Sequence, residues 1–220
     1  MHKLLFIDTS YTFNQIKERN STNVLIAREL KNFYSKVISI HPVANLTENL
    51  VFENNDYFIK NKINDRHVFY EFRALKKNKF FLFEILSFFY FQIKMFFFII
   101  KIIKKEKINH IKCGDINYAG LLGYLLLKFL GIKYLLRVGS NNNKIRQEIL
   151  RPIQPKFFRL INIEKFFEKL ILKNSLHIFP ANEDNAKFVR CYLPNSNKIT
   201  VVRYGSLIHD CHFIDRKLRQ

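Results

Sequence analysis

Four short stretches carry the residue types that bind ligands or move protons, and each sits at the end of a short apolar run. Asp8, Thr9, Ser10 and Tyr11 close the first run, at 3–8. Gly114, Asp115 and Asn117 follow the run that ends at Cys113. Arg137 lies at the end of the run at 132–138, with Gly139, Ser140 and Asn141 behind it. Asn182 and Glu183 follow the run at 175–180. If these runs are parallel strands, the four loops share the edge where open α/β sheets bind ligands, beyond the carboxyl ends of the strands. The candidate substrate-binding residues are therefore Thr9, Ser10, Tyr11, Asp115, Arg137, Gly139, Ser140, Asn182 and Glu183. Arg137 has two readings. Its planar guanidinium suits a phosphate or carboxylate, or it pairs with a local acid. Gly139 would let a ligand approach the backbone closely. Asp115 either accepts a hydroxyl hydrogen bond, acts as a base, or simply forms a turn. No residue declares itself catalytic.

Other chemistries find little support. There is no Gly-rich phosphate loop of the Walker type. His209, Cys211 and His212 crowd too closely for a zinc set and have no second ligand pair. No metal and no cofactor is expected. The three cysteines, Cys113, Cys191 and Cys211, are widely spaced, which argues against a disulfide framework and for a reducing cytosol. Cys113 ends a buried run and reads as packing rather than as a nucleophile.

Elements that could position these loops are visible in the pattern. Strand signals fall at 3–8, 36–41, 67–70, 108–113, 132–138, 175–180 and 199–203. Helical patterns lie between several of them. Residues 22–34 follow Ser21 and place Val24, Leu25, Ala27, Leu30 and Phe33 on one core-facing stripe. A second helix spans 117–130 and stops at Gly131. Further helices are expected over 156–173 and over 183–192, where Glu183 and Asp184 occupy the first turn. The alternation predicts an α/β, Rossmann-like parallel sheet with helices on both faces and the first strand central. The section from 45 to 78 is poorly patterned and finds no firm place.

Residues 80–103 form a nearly continuous aromatic and aliphatic block, long enough to approach the ~20 apolar residues of a membrane span. Glu84, Gln92, Lys94 and Lys101 interrupt it. At helical spacing, Glu84, Ser87, Lys94 and Lys101 share one stripe, and lysines flank both ends. Three readings stay open: a long buried helix with one wet stripe, a helix lying in the plane of an anionic membrane surface, and a true span.

The chain carries 37 Lys and Arg against 18 Asp and Glu, a formal net charge of +19. That excess suits acidic partners, namely nucleic acid, anionic lipid or a phosphorylated substrate. A coding bias towards Lys, Ile, Asn and Phe would produce it as well. Nucleic-acid binding finds no helix-turn-helix, finger or aromatic RNA-binding strand to support it. A basic nucleic-acid module and a non-catalytic peripheral membrane protein are the alternatives to an enzyme part.

Two segments carry a family resemblance. Residues 174–213 run from Asn-Ser-Leu-His-Ile-Phe-Pro-Ala-Asn through a short helix to Lys-Ile-Thr-Val-Val-Arg-Tyr-Gly-Ser and, further on, Phe213. Residues 107–140 include Lys-Ile-Asn-His-Ile-Lys-Cys-Gly-Asp and Gly-Ile-Lys-Tyr-Leu-Leu-Arg-Val-Gly-Ser. In order and spacing they resemble the first, acceptor-binding domain of GT-B glycosyltransferases of the family-four type. The resemblance covers roughly 105–213. It implies a single half of a GT-B fold, with residues 1–205 as the Rossmann-like domain and 206–220 as hinge and truncated tail. It also implies transfer of sugar from a nucleotide-sugar to a glycan or lipid-linked acceptor. The donor domain would be missing, the chain being either a fragment or truncated product or one partner of a separately encoded donor-domain subunit, and the chain would be inactive alone. The expected place is the cytoplasm, at the inner face of a membrane if residues 80–103 bind one. Departures from the family bear on acceptor class. Thr9-Ser10-Tyr11 stands where relatives have a Gly-Gly pair. Ala181 stands for a serine, Tyr204 for the hinge asparagine and Leu207 for an aspartate, and the loop around Asp115 lacks the usual histidine.

Overall fold

The computed structural model describes residues 1–48, 50–52, 56–76, 81–153 and 160–202. Seven strands form one sheet: β1 (His2–Ile7), β2 (Tyr34–His41), β3 (Phe58–Lys62), β4 (His67–Phe72), β5 (His110–Cys113), β6 (Tyr134–Val138) and β7 (His177–Pro180). Their order is β3-β4-β2-β1-β5-β6-β7. All neighbours are parallel except β3, which pairs antiparallel with β4 at the edge. Without β3 the six parallel strands follow the doubly wound order, and the strand sequence reverses between β1 and β5. The first strand is central, as its near-complete burial from Leu4 to Ile7 requires.

The helices are α1 (Phe13–Glu18), α2 (Thr22–Ala27), α3 (Ala44–Thr47), α4 (Phe81–Glu106), α5 (Tyr118–Leu130), α6 (Asn142–Ile149), α7 (Ile161–Asn174) and α8 (Glu183–Tyr192). Alternation along each strand sends side chains to opposite faces. On one face Leu5, Ile7, Ile40, Ile111 and Leu136 join residues of α4, α5, α7 and α8 in the main core. On the other, Ile16 of α1 and Leu25 of α2 pack on Phe69 of β4. Gly131 ends α5 with a left-handed φ of 71°, a conformation that glycine adopts without strain.

Several expectations need correction. The helix anticipated at 22–34 ends at Ala27; Leu30, Lys31 and Asn32 turn left-handed, and Leu30 and Phe33 are exposed. The chain needs those residues to reverse direction into β2. The unplaced section contains the β3–β4 hairpin, whose turn is held by Asn64 accepting from Arg66 N and His67 N. The seventh anticipated strand is reduced to one parallel bridge, Ile178 with Ile199, plus the bond from Val202 N to Pro180 O. In the helix expected over 156–173, Phe157 and Phe158 lie outside the described residues, and Leu160 and Phe166 are exposed. Phe213, Tyr204, Leu207 and the His209–His212 cluster also lie outside them.

The buried reading of 80–103 fails for the first half of α4. Its buried residues are Met95, Ile99, Ile102 and Ile103, all in the second half. Leu82, Phe83, Leu86, Phe89, Tyr90, Ile93 and Phe97 are exposed, Leu82 by 65%. At 26 residues the helix is about 39 Å long, whereas an eight-residue strand such as β2 spans about 27 Å. Part of α4 therefore has no sheet to lie on. The anticipated wet stripe is kept in part: Lys94 and Lys101 are exposed, whereas Glu84 and Ser87 are half-buried, with Ser87 accepting from Lys76 N at 3.1 Å and donating to Glu84 O at 2.8 Å.

Candidate functional site

Because the parallel strands point one way, the loops after β1, β5, β6 and β7 emerge along one edge. The point of reversal lies between β1 and β5, and there the two loops nearly touch. A Cβ on Gly114 would stand 2.7 Å from Asp8 Oδ1, so only glycine lets β5 leave the sheet beside β1. Thr9 Oγ1 donates to Asp115 Oδ2 at 2.9 Å and joins the two loops. Asp8 accepts from Ser10 N and Ser10 Oγ, which folds the first loop back on itself.

The chain of contacts continues along the edge. Asn142 Nδ2 donates to Asn117 Oδ1 at 3.3 Å and links the loops after β5 and β6. Asn141 Nδ2 donates to Asp184 O at 3.2 Å and links the loop after β6 to α8. Asn182 caps α8 by accepting from Asn185 N at 2.8 Å. A buried ion network fixes α6 behind this line. Arg146 donates to Glu164 Oε2 at 2.8 Å and to Glu168 Oε2 at 2.7 Å, and Tyr192 OH donates to Glu168 Oε2 at 2.9 Å.

Electrostatics distinguishes the centre of this edge. Burial pushes the Asp115 carboxyl up to about 6, against the hydrogen bond from Thr9 and with help from the charge of Asp8. A carboxyl titrating there changes state near neutrality, as a general base must. Burial also pushes Arg28 down to about 10, although its guanidinium pairs with Asp8 Oδ2 at 3.1 Å. Lys112 is lowered by burial and by the charges of Arg137 and Arg28. Three cations thus converge on one face of the sheet, with Arg28 4.0 Å over the Phe6 ring. Converging cations raise each other's energy, so an anion placed among them would be stabilised.

The residues singled out from the sequence divide into groups. Thr9, Ser10 and Asp115 meet at the β1–β5 reversal. Arg137 belongs to the cationic group on the adjoining face. Tyr11 is exposed, with Arg19 4.5 Å over its ring. Gly139 is open, with nothing within 4 Å of an added Cβ. Ser140 donates to Asn142 at 2.9 Å. Glu183 is exposed and faces Arg190 at 3.5 Å.

Arg28, His41 and Lys112 are additions the sequence reading missed. Lys112 was discoverable, since it alternates with buried Ile111 and Cys113 and must face the other way. Arg28 lies three residues from buried Leu25, one turn further along the same side. His41 ends β2 beside the first loop, and burial pushes it down to about 4.

No protein-family model matches the chain, and no curated protein matches it. Among solved structures it is similar to Alr3699/HepE of Anabaena, determined in complex with UDP, with a TM-score of 0.53 and 8% identity over 92% of this chain and 44% of that one. A UDP-N-acetylglucosamine 2-epimerase from Rickettsia bellii gives a TM-score of 0.49 and 14% identity over 90% of this chain and 44% of that one. The chain therefore spans less than half the length of either. The likeness is one of fold: this sheet and its helices match half of a GT-B arrangement.

Proposed function

We propose that the chain is the acceptor-binding half of a GT-B sugar transferase of the family-four type, and that it works with a second half that grips the nucleotide-sugar. The observation that supports this most is the set of loops at the β1–β5 reversal. There a carboxyl titrating near 6 sits beside Thr9, and three cations lie on the adjoining sheet face. Asp115 would accept or deprotonate the acceptor hydroxyl. Arg137, with Lys112, would hold an acceptor phosphate, as in a lipid-linked glycan. The UDP in the Anabaena structure is consistent with sugar-nucleotide chemistry on this fold.

Transfer needs both substrates in near-attack geometry, and such positioning accounts for about 7–11 kcal/mol of barrier. The 220-residue chain by itself is therefore expected to show no turnover and no micromolar binding of nucleotide-sugars. Calorimetry with a nucleotide-sugar panel and with sugar 1-phosphates tests this. The sugar phosphates should bind, and Arg137→Ala should weaken them about tenfold or more, as loss of a charged hydrogen bond does. Tight donor binding, turnover, or sugar-phosphate binding indifferent to Arg137→Ala would each overturn the proposal.

A further inference from the structure

A groove of about 740 Å³ opens on the α4 side of the sheet, between α4 and strands β2, β4 and β3. None of its lining residues belongs to the polar loops. Its floor is aromatic: Phe98 of α4 lies 4.9 Å from Phe58 and 5.3 Å from Tyr70, ring centre to ring centre. Its rim is basic. Lys36, Lys60, Lys94, Lys101 and Lys105 surround it, and Glu106 is the single acid among the lining residues. Glu106 is already engaged by Lys36 at 2.6 Å. The groove therefore offers an apolar bed beneath an excess of positive charge.

Ile93 and Phe97 line this groove and also belong to the exposed apolar stripe of α4. Leu82, Leu86, Phe89, Ile93 and Phe97 recur at three- and four-residue spacing. With Phe83 and Tyr90 they occupy an arc of about 120° on a helix turning 100° per residue. Lys94 and Lys101 border that arc. A continuous apolar surface of this size on one helix marks an interaction site. Its charge decides the occupant. A second copy would bring the same lysines against these lysines, in a chain of net charge +19. A soluble anion would leave the stripe uncovered. An anionic bilayer satisfies both halves, with acyl chains for the stripe and phosphates for the lysines.

We propose that α4 lies in the plane of an anionic bilayer, its exposed stripe in the acyl boundary, while the lysine-rimmed groove holds the phosphate of one anionic phospholipid. This stands whether or not the chain takes part in sugar transfer.

The test is co-sedimentation of the 220-residue chain with vesicles of phosphatidylcholine alone and of phosphatidylcholine mixed with phosphatidylglycerol. Strong binding is expected only to the mixed vesicles. Each lysine near the surface contributes roughly fivefold, so Lys94→Gln with Lys101→Gln should lower partitioning about 25-fold. Lys31→Gln with Lys187→Gln, on other exposed surfaces, should leave it within about threefold. Phe89→Ser with Ile93→Ser alters exposed positions, so it should keep the thermal midpoint and lose vesicle binding. Equal binding to both vesicle types would overturn the proposal. So would equal losses from the two lysine pairs, or displacement by millimolar inorganic phosphate. A dimer that Phe89→Ser and Ile93→Ser dissociate, with vesicle binding intact, would assign the stripe to a second copy instead.

Discussion

Removing the Glu168 carboxylate should destabilise the chain by about 3–5 kcal/mol, because it leaves a buried guanidinium short of its main partner. Four donors end on that one group: Arg146 Nη1 at 2.9 Å, Arg146 Nη2 at 2.7 Å, Asn142 Nδ2 at 2.5 Å and Tyr192 OH at 2.9 Å. Arg146, Glu164 and Glu168 are all buried. In Glu168→Ala, Arg146 keeps Glu164 at 2.8 Å and Asn143 at 3.1 Å, so part of the charge remains compensated. Bonds to charged groups are worth about 1.5–3 kcal/mol each and do not add fully, which places the loss within that range. Against a typical total of about 5–15 kcal/mol, the effect is large. Urea unfolding followed by circular dichroism measures it, through the midpoint at constant slope. Glu168→Gln, which keeps an acceptor but loses the charge, should fall between wild type and Ala. A loss below about 1 kcal/mol with an unchanged slope would refute the claim that this network anchors α6.

Two further outcomes are expected. Burial holds His41 and His67 down to about 4, so their folded values lie below the unfolded 6.5. Their contribution, about 3 kcal/mol each at most, is present above pH 6.5 and is lost as pH falls through 4. Asp115 has the opposite sign, since its raised value favours the folded state below pH 4 and is lost as pH rises through 6. Urea midpoints should therefore rise between pH 4 and 6.5, and His67→Asn should flatten that rise; an unchanged slope in the variant would remove His67 from the account. Gly114→Ala should lower stability by about 1–3 kcal/mol, because its Cβ meets Asp8 Oδ1 at 2.7 Å. A neutral result in the same urea assay would mean that the β1 and β5 loops can part freely.

The sheet was legible because buried parallel strands write short apolar runs, and six of the seven runs became strands. The antiparallel β3 was not, because Phe58–Lys62 alternates only weakly and lies half exposed at an edge. The long reading of α2 failed through a local competition. The stripe at Leu30 and Phe33 has helical spacing, but the three left-handed residues at 30–32 must turn the chain into β2. Of the site, the loops could be found by rule, since any parallel sheet collects its strand ends on one edge. Lys112 could be read from its alternation with Ile111 and Cys113, but its grouping with Arg28 and Arg137 needed the register, because only pairing Phe6 with Lys112 and with Ser39 reveals which side chains share that face. The fate of 80–103 was out of reach for another reason. Composition gives a helix's apolarity, but only the sheet's length decides how much of it can be covered.

The overhang of α4 also ties the two proposals together spatially. Its uncovered first half lies at the carboxyl edge of the sheet, where Gln92 Nε2 donates to Ala74 O at 3.5 Å just past β4 and Tyr118 OH donates to Gln92 Oε1 just past β5. Tyr118 follows directly on the loop that holds Asp115 and Asn117. A helix seated in a bilayer by Leu82, Leu86 and Phe89 would therefore bring the polar loops close to the head groups. A lipid-linked acceptor must present its sugar from that plane, and its phosphate would have to pass over the loop edge to meet Arg137 and Lys112, which lie on the sheet face opposite α4. The coupling has a direct consequence. Anionic vesicles should protect the backbone amides of residues 114–118 from hydrogen exchange in the wild type but not in the Phe89→Ser, Ile93→Ser pair. Protection confined to α4 would mean that the membrane helix and the loops act independently.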